Sequence, residues 1–209
     1  GVLRLRNDPA PGIGPMGYVL GDVAFECCAV PSVEALERIG SLRLAAASHP
    51  HSYGALHLLQ DHFDCEVALH PGDLRWSGAL RVTWPFDDAL ELGDGLTLHH
   101  SGGHFSGHAV LHDQERGILF CGDALKFELD PADERRALAI SAHKAFVRGI
   151  PLTPAELRGY RDLFARLDFT QTWTPFEQVV NAGRAEALAL IDGMLATRPH
   201  AAPVALEEL

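Results

Sequence analysis

The sequence predicts an α/β layered domain, on three observations. Short apolar runs bounded by Gly and Asp turns alternate with segments of helical periodicity in both halves of the chain. Its 209 residues suffice for two sheets with helices around one core, so residues 1–209 read as a single domain. A content of 47% hydrophobic and 22% charged residues is that of a globular chain, and no internal repeat or low-complexity linker interrupts it.

Each element has a local reason. Tyr18–Leu20 and Val23–Cys28, split by Gly21-Asp22, read as a hairpin. Ser32 follows Pro31 and caps a helix to Ile39 whose Val33, Leu36 and Ile39 share a face. Leu42–Ala47 is a short, mostly apolar run of the kind a buried strand shows, and it ends at Ser48-His49-Pro50-His51. A helix from Ala55 to Phe63 and a strand at Glu66–Leu69 follow. In the middle, Leu80–Val82 and Leu96–His100 are predicted strands, and Ala109–His112 with Gly117–Cys121 form a hairpin around Asp113–Arg116. Asp130–Arg136 reads as a charged linker. Thr153-Pro154-Ala155-Glu156 starts a helix to Leu167, with a capping Thr, Pro at the first helical position and Glu placed for a capping box. Phe169–Thr174 is expected as the last strand, Asn181 as the cap of a final helix to about Ala196, and the chain after Pro199 as frayed.

The formal net charge of −11 argues against tracking a nucleic-acid backbone or docking on anionic lipid, since both require clustered Lys and Arg. A small-molecule substrate is the expected partner, and a homodimer is compatible with the sequence. No stretch approaches the roughly 20 apolar residues of a membrane span. The opening GVLRLRNDPAPG has charges but no apolar region after them, so it does not read as a signal peptide, and Gly1 in place of Met reads as a trimmed or tagged start. The four cysteines (Cys27, Cys28, Cys65 and Cys121) show no C-x-x-C spacing and read as buried apolar residues of a reduced, cytoplasmic protein.

Three polar clusters stand at the ends of apolar strands. His49-Pro50-His51 places imidazoles at i and i+2 on a tight loop, where both can aim at one point, and imidazole is a common ligand of zinc and iron. In Ser101-Gly102-Gly103-His104-Phe105-Ser106-Gly107-His108, the glycines allow a sharp turn that brings His104 to another loop. Gly122-Asp123 supplies a carboxylate that would offset a cation's charge. With 12 histidines, close pairs arise by chance; the order of the three clusters, each after a strand, is what chance does not readily give.

On SHPHSYG, SGGHFSGH and LFCGD, taken in that order over roughly Gly17 to Thr174, the chain resembles the metallo-β-lactamase superfamily. That family carries H-x-H-x-D-H, a histidine in a glycine-rich turn, a G-D after a strand, and a late histidine. The resemblance implies an αββα sandwich of two mixed sheets flanked by helices, with Gly12–Gly21 as the opening hairpin and metal held by loops along one edge. Carried over residue by residue, it implies His49, His51 and His104 as metal ligands, with Asp123 as the carboxylate that would otherwise bridge to a second ion. The motif's aspartate falls on Tyr53 and its last histidine on Gly54, and Thr172–Val180 holds no late histidine, although Glu177 lies in that region. One divalent ion, zinc ahead of iron, is therefore the expected cofactor.

Such a site implies hydrolysis of a small ester, lactone, thioester or amide, because zinc lowers the pKa of bound water toward about 7 and polarises a carbonyl. Tyr53 and His143 are the catalytic candidates, His143 on a loop over the pocket. Two other functions fit the same residues: a mononuclear iron persulfide dioxygenase-like oxidoreductase, and a non-catalytic relative that binds a ligand or partner. Leu74–Trp84 and Ala124–Gly149 read as the specificity loops, whose Trp76, Trp84, Phe127 and Phe146 are available to line a pocket. His108 reads as a support of its turn, at most one of His99 and His100 faces the site, and His57, His62, His70, His112 and His200 are assigned to surface or packing.

Overall fold

A computed structural model describes residues 1–6, 15–27, 30–78, 80–144 and 149–209. Cys28, Phe146 and part of the expected Gly12–Gly21 hairpin lie outside the described residues. The first half builds a five-stranded sheet from β1 (Val2–Arg6), β2 (Met16–Leu20), β3 (Val23–Phe25), β4 (Leu44–Ala46) and β5 (Glu66–Ala68), in that spatial order. Here β1–β2 and β2–β3 are antiparallel, while β3–β4 and β4–β5 are parallel. Parallel neighbours need crossovers, and helices α1 (Val33–Ile39) and α2 (Leu56–Phe63) supply them. Ser32 caps α1 by accepting from Ala35 N at 3.2 Å, as its position before the periodic run predicts.

The second half builds a six-stranded sheet from β6 (Ala89–Gly93), β7 (Leu96–His100), β8 (Ala109–Asp113), β9 (Ile118–Phe120), β12 (Gln171–Trp173) and β13 (Gln178–Val179), in the order β13-β12-β9-β8-β7-β6. A smaller sheet joins β10 (Lys126–Asp130), β11 (Asp133–Ser141) and β14 (Val204–Ala205). Helices α3 (Pro154–Arg166) and α4 (Arg184–Ala196) complete the chain, and α3 carries the full Thr153–Glu156 capping box.

Strand alternation makes four layers of these parts. On β2–β4, Tyr18, Leu20, Phe25, Leu44 and Ala46 face the second sheet's Leu98, Leu111, Phe120 and Trp173 across a central core. Their neighbours Val19, Ala24 and Ala45 face Leu56 and Leu59 of α2. From the second sheet, Val110, Leu119 and Cys121 face Leu157, Tyr160, Phe164, Leu190 and Ile191 of α3 and α4. The fold is therefore the expected αββα sandwich, and Leu44–Ala46 is apolar throughout because both faces of β4 are covered, whereas Arg43 just before it is exposed. Tyr18 and Trp173 flank Phe120 with ring centroids 4.9 and 5.4 Å away, edge contacts that stabilise by about 0.5–1.5 kcal/mol each beyond area burial.

Several sequence expectations need correction. The Asp130–Arg136 linker is the turn and first strand residues of the β10–β11 hairpin, so the stretch from Lys126 to Ser141 within the expected Ala124–Gly149 loop is a hairpin, and residues 145–148 lie outside the described residues. Its charges mark strand residues that face solvent, which composition cannot distinguish from a linker. Leu80–Val82 is not a strand; Leu80 and Val82 pack against the α1–α2 core from an irregular segment. Phe169–Thr174 is not the last strand, and the tail is not frayed, since Val204 and Ala205 pair with Ile140 and Ala139. The final helix is capped at Gly183, whose N–H donates to Glu186 at 2.8 Å, while Asn181 exchanges bonds of 2.8 and 2.9 Å with Ala137 of β11. Strands β1 and β6 were not anticipated. Cys27, Cys65 and Cys121 are buried, Cys65 and Cys121 as free thiols, and among the described residues no helix is long and apolar enough to cross a membrane.

Candidate metal centre

Three loops at one edge of the sandwich converge. The first leaves β4, and Pro50 opens a 3-10 turn over Pro50–Ser52 in which Ser52 N donates to His49 O at 2.9 Å. That turn holds the His49 and His51 rings with centroids 5.2 Å apart. His49 is buried, whereas His51 is exposed and marks the solvent side. The loop is tied to the second sheet by Ala109 N, which donates to Ser48 O at 2.8 Å.

The second loop follows β7. Gly103 has φ +77°, and a Cβ there would lie 2.6 Å from the Tyr160 ring. Tyr160 Oη accepts from His104 N at 3.1 Å and donates to Gly102 O at 3.3 Å, so α3 fixes the turn that presents His104. His104 Nδ1 faces His143 O at 3.4 Å; donating there leaves the Nε2 lone pair turned inward. His49 is oriented similarly, with Nδ1 2.7 Å from Ser48 Oγ.

The third loop follows β9. Gly122 has φ +52°, and a Cβ would overlap the Ser48 side chain and lie 2.8 Å from His108 Nε2. Asp123 Oδ2 reaches within 3.5 Å of His104 Nε2 and 3.8 Å of His49 Nε2. His108 is held at both nitrogens, by Ser101 Oγ at 2.6 Å and Asp123 N at 3.3 Å, so it braces two of the loops. His100 braces the second, through Ser106 O at 2.9 Å and a stack on His70 at 3.7 Å.

The donor set fits a divalent cation. One ring nitrogen from each of His49, His51 and His104 lies within 4.8 Å of the others. His49 Nε2 and His104 Nε2 are buried with no hydrogen-bond partner, an unfavourable state that an ion would relieve. Burial, with the neighbouring His104 and His51, holds His49 well below the usual imidazole range; burial and the Lys126 ammonium take His104 down to about 3. Both are therefore neutral imidazoles at pH 7, the form able to bind a metal.

A family model described as the metallo-beta-lactamase superfamily matches residues 46–167, more than half of the chain, including all four of these side chains. The chain belongs to the metallo-beta-lactamase superfamily.

Among curated relatives of this superfamily member is the uncharacterized protein YmaE of Bacillus subtilis (strain 168), 23% identical over 202 residues, which cover 88% of this chain and 70% of YmaE. Among solved structures, TTHA1623 in a di-iron-bound form matches with a TM-score of 0.61 at 17% identity, covering 97% of this chain and 95% of that one. The metallo-beta-lactamase family protein TTHA1429 from Thermus thermophilus matches with a TM-score of 0.59 at 19% identity, covering 94% and 78%. These likenesses establish the fold, and the superfamily fold implies a divalent metal.

Relative to the superfamily's motifs, the remaining candidates take different places. Tyr53 packs against the α1–α2 core, where burial, Asp73 and Glu26 push its hydroxyl up and keep it protonated. His143 stands at the end of β11 and bridges to Pro151; its carbonyl faces His104 Nδ1 and accepts from Lys126 Nζ at 3.0 Å. Glu177 accepts a short bond from Thr174 Oγ1, and burial, with Asp123 nearby, raises it to about 7. Trp76 and Trp84 are exposed, while Phe127 packs into the core beside α3 and α4. A cleft of about 570 Å³ lies elsewhere, against Glu91, His99, His112 and Arg166, and touches none of the loops above.

Sequence reasoning missed two charged groups. Lys126 Nζ donates to Asp123 O at 2.6 Å as well as to His143 O. Glu26 is buried behind the His49 loop at φ +60°, with Ser48 N 3.5 Å from Oε2. Each was signalled only by being a charge inside an apolar run, VAFECC and GDALKF. Burial raises Glu26 to about 7 from an ordinary 4.5. Its folded pKa exceeds its unfolded one, so stability is full below about 4.5 and declines until pH passes 7. Glu26→Gln is expected to remove this decline, leaving the variant more stable than the parent by about 2–3 kcal/mol at pH 8 and near-equal at pH 4.5. Urea unfolding at both values checks it; an undiminished pH slope in the variant would assign the decline elsewhere.

Proposed function

We propose that the chain is a mononuclear metal-dependent hydrolase acting on a small ester, lactone, thioester or amide. The observation that supports it most is the convergence of His49, His51 and His104 within 4.8 Å, with two buried Nε2 atoms left without partners. The three imidazoles would hold the ion, and Asp123 would neutralise part of its charge. A bound divalent ion supplies Lewis acidity toward water and a carbonyl oxygen. His51 leaves the solvent side open, and Phe105, whose ring centroid is 5.3 Å from His49 and 5.1 Å from His51, provides an apolar wall. Ser48 and the His143 carbonyl hold the two buried rings in orientation, which limits reorganisation during the reaction. Tyr53, kept protonated and packed against the α1–α2 core, is not suited to act as the base.

Zinc is the proposed ion. Iron is the second reading, favoured by the di-iron form of TTHA1623, and it would bring oxygen chemistry in place of hydrolysis. Elemental analysis of untagged protein is expected to return one zinc per chain, and the loaded protein to cleave at least one member of a panel of esters, lactones, thioesters and amides. One equivalent of iron, with oxygen uptake on glutathione persulfide and no hydrolysis, would replace this reading. No bound metal under excess zinc or iron would end it.

A further inference from the structure

Across β6, β7 and β8, the registers Glu91–Thr97 and Thr97–His112 set three polar side chains in one row. His99 stands one pair along, opposite Val110. Val110 packs against α3 and α4, so both rows lie on the helix side of the second sheet, away from the central core. The end of α3 forms the facing wall with Arg166, Leu167 and Asp168. Between wall and strands lies the cleft of about 570 Å³, a size that holds a small molecule.

The cleft gathers polar groups that the fold itself does not use. His112 Nε2 donates to Asp168 O at 2.9 Å, which makes Nδ1 of the neutral ring an acceptor, and no protein group among the described residues meets it. His99 has no hydrogen-bond partner at either nitrogen among the described residues. Burial, with His112 and Arg166 nearby, lowers His99 to about 4, so at pH 7 its ring offers one donor and one acceptor. The Asp168 carboxylate is taken by Arg184 at 3.4 Å. Two opposite charges remain. Arg166 donates from Nε to Asp162 O at 3.1 Å and keeps both terminal nitrogens free, and Glu91 has no cation partner among the described residues. A ligand of one sign would meet a like charge in this cleft, whereas one with both signs at separated ends satisfies each.

We propose that this cleft binds a small zwitterion of dipeptide length, its carboxylate on Arg166 and its ammonium on Glu91. His99, Thr97 and Gln114 offer hydrogen bonds to the middle of such a ligand, and Ala89 and Leu167 offer apolar contact. The site shares no residue with the three loops of the metal centre, so it stands whether or not those loops hold an ion.

The test is histidine-ring NMR on the full chain, with His99 assigned through His99→Gln, during titration with δ-aminovalerate, valerate and pentylamine. δ-Aminovalerate has the chain length of glycylglycine without a peptide bond that the proposed hydrolase could cut. It is expected to move the His99 signals with a Kd of about 1 mM. It should bind about fivefold or more tightly than either one-charge probe, the factor that one partly exposed charge pair contributes. Arg166→Gln is expected to reduce its affinity to that of pentylamine on the wild type, and Glu91→Gln to that of valerate. Both side chains are exposed, so both variants should fold. An unmoved His99, or equal affinity for the three probes, would overturn the proposal. His104→Ala separates the two sites, and unchanged affinity is expected there. Binding lost in His104→Ala but kept in Arg166→Gln would place the ligand at the metal centre, overturning the cleft and leaving the metal site standing.

Discussion

His104→Ala is expected to lower zinc affinity by more than the roughly 10–100-fold that loss of an outer-shell partner costs, and to abolish hydrolysis. The reason is local. His104 is the imidazole that joins the two-histidine loop to the third loop, with Nε2 3.5 Å from Asp123 Oδ2 and no hydrogen-bond partner. Without it, His49 and His51 remain on one short turn, and two neutral imidazoles with one carboxylate do not enclose an ion. The fold should survive, because Tyr160 bonds the backbone N–H of position 104, which alanine retains. Removing a buried imidazole whose nitrogen lacks a partner also relieves a desolvation penalty, so the metal-free variant is expected to melt within a few degrees of the metal-free parent. Competition with a chromogenic chelator measures affinity, and calorimetry measures stability. Unchanged zinc affinity would place the ion elsewhere.

Gly122→Ala should damage fold and site together. At φ +52° a side chain is disfavoured by about 1–2 kcal/mol, and the new Cβ meets Ser48 and His108, which are themselves buried. Overpacking of this kind adds about 1–3 kcal/mol, for a combined loss of about 2–5 kcal/mol. For a chain of this size that lowers Tm by roughly 5–15 °C. Ser48 orients His49, and His108 receives the N–H of Asp123, so relaxing the clash moves two of the proposed metal-binding residues at once. Zinc affinity should fall with stability, whereas a variant with normal affinity and Tm would show that the loops yield without consequence. By contrast, Gly159 meets nothing within 4 Å on an added Cβ, and Gly159→Ala provides a control.

These two expectations rest on different levels of information. The motif SHPHSYG, the run SGGHFSGH and the Gly-Asp after an apolar strand are visible in the chain, because ligand chemistry restricts residue type and strand ends restrict spacing. The capping box at Thr153 and the buried character of Leu44–Ala47 are similarly local, and the structure agrees with both. Charge in a strand is not legible in this way. Asp130–Arg136 reads as a linker although it carries the turn of a hairpin, and Asn181 reads as a helix cap although it binds Ala137 across the chain. Whether a polar residue faces water or another strand depends on what is packed opposite, which no local window contains.

By itself the sequence determined the layered α/β class, most of the interior strands and the four side chains expected at a metal, since periodicity, capping and ligand type are properties of neighbouring residues. Tertiary structure alone decided that the three imidazoles meet, that Tyr160 and Gly122 set the loops that make them meet, and that Lys126 turns inward onto the Asp123 and His143 carbonyls. Those contacts join residues far apart along the chain, and electrostatic coupling falls with distance in space rather than in sequence.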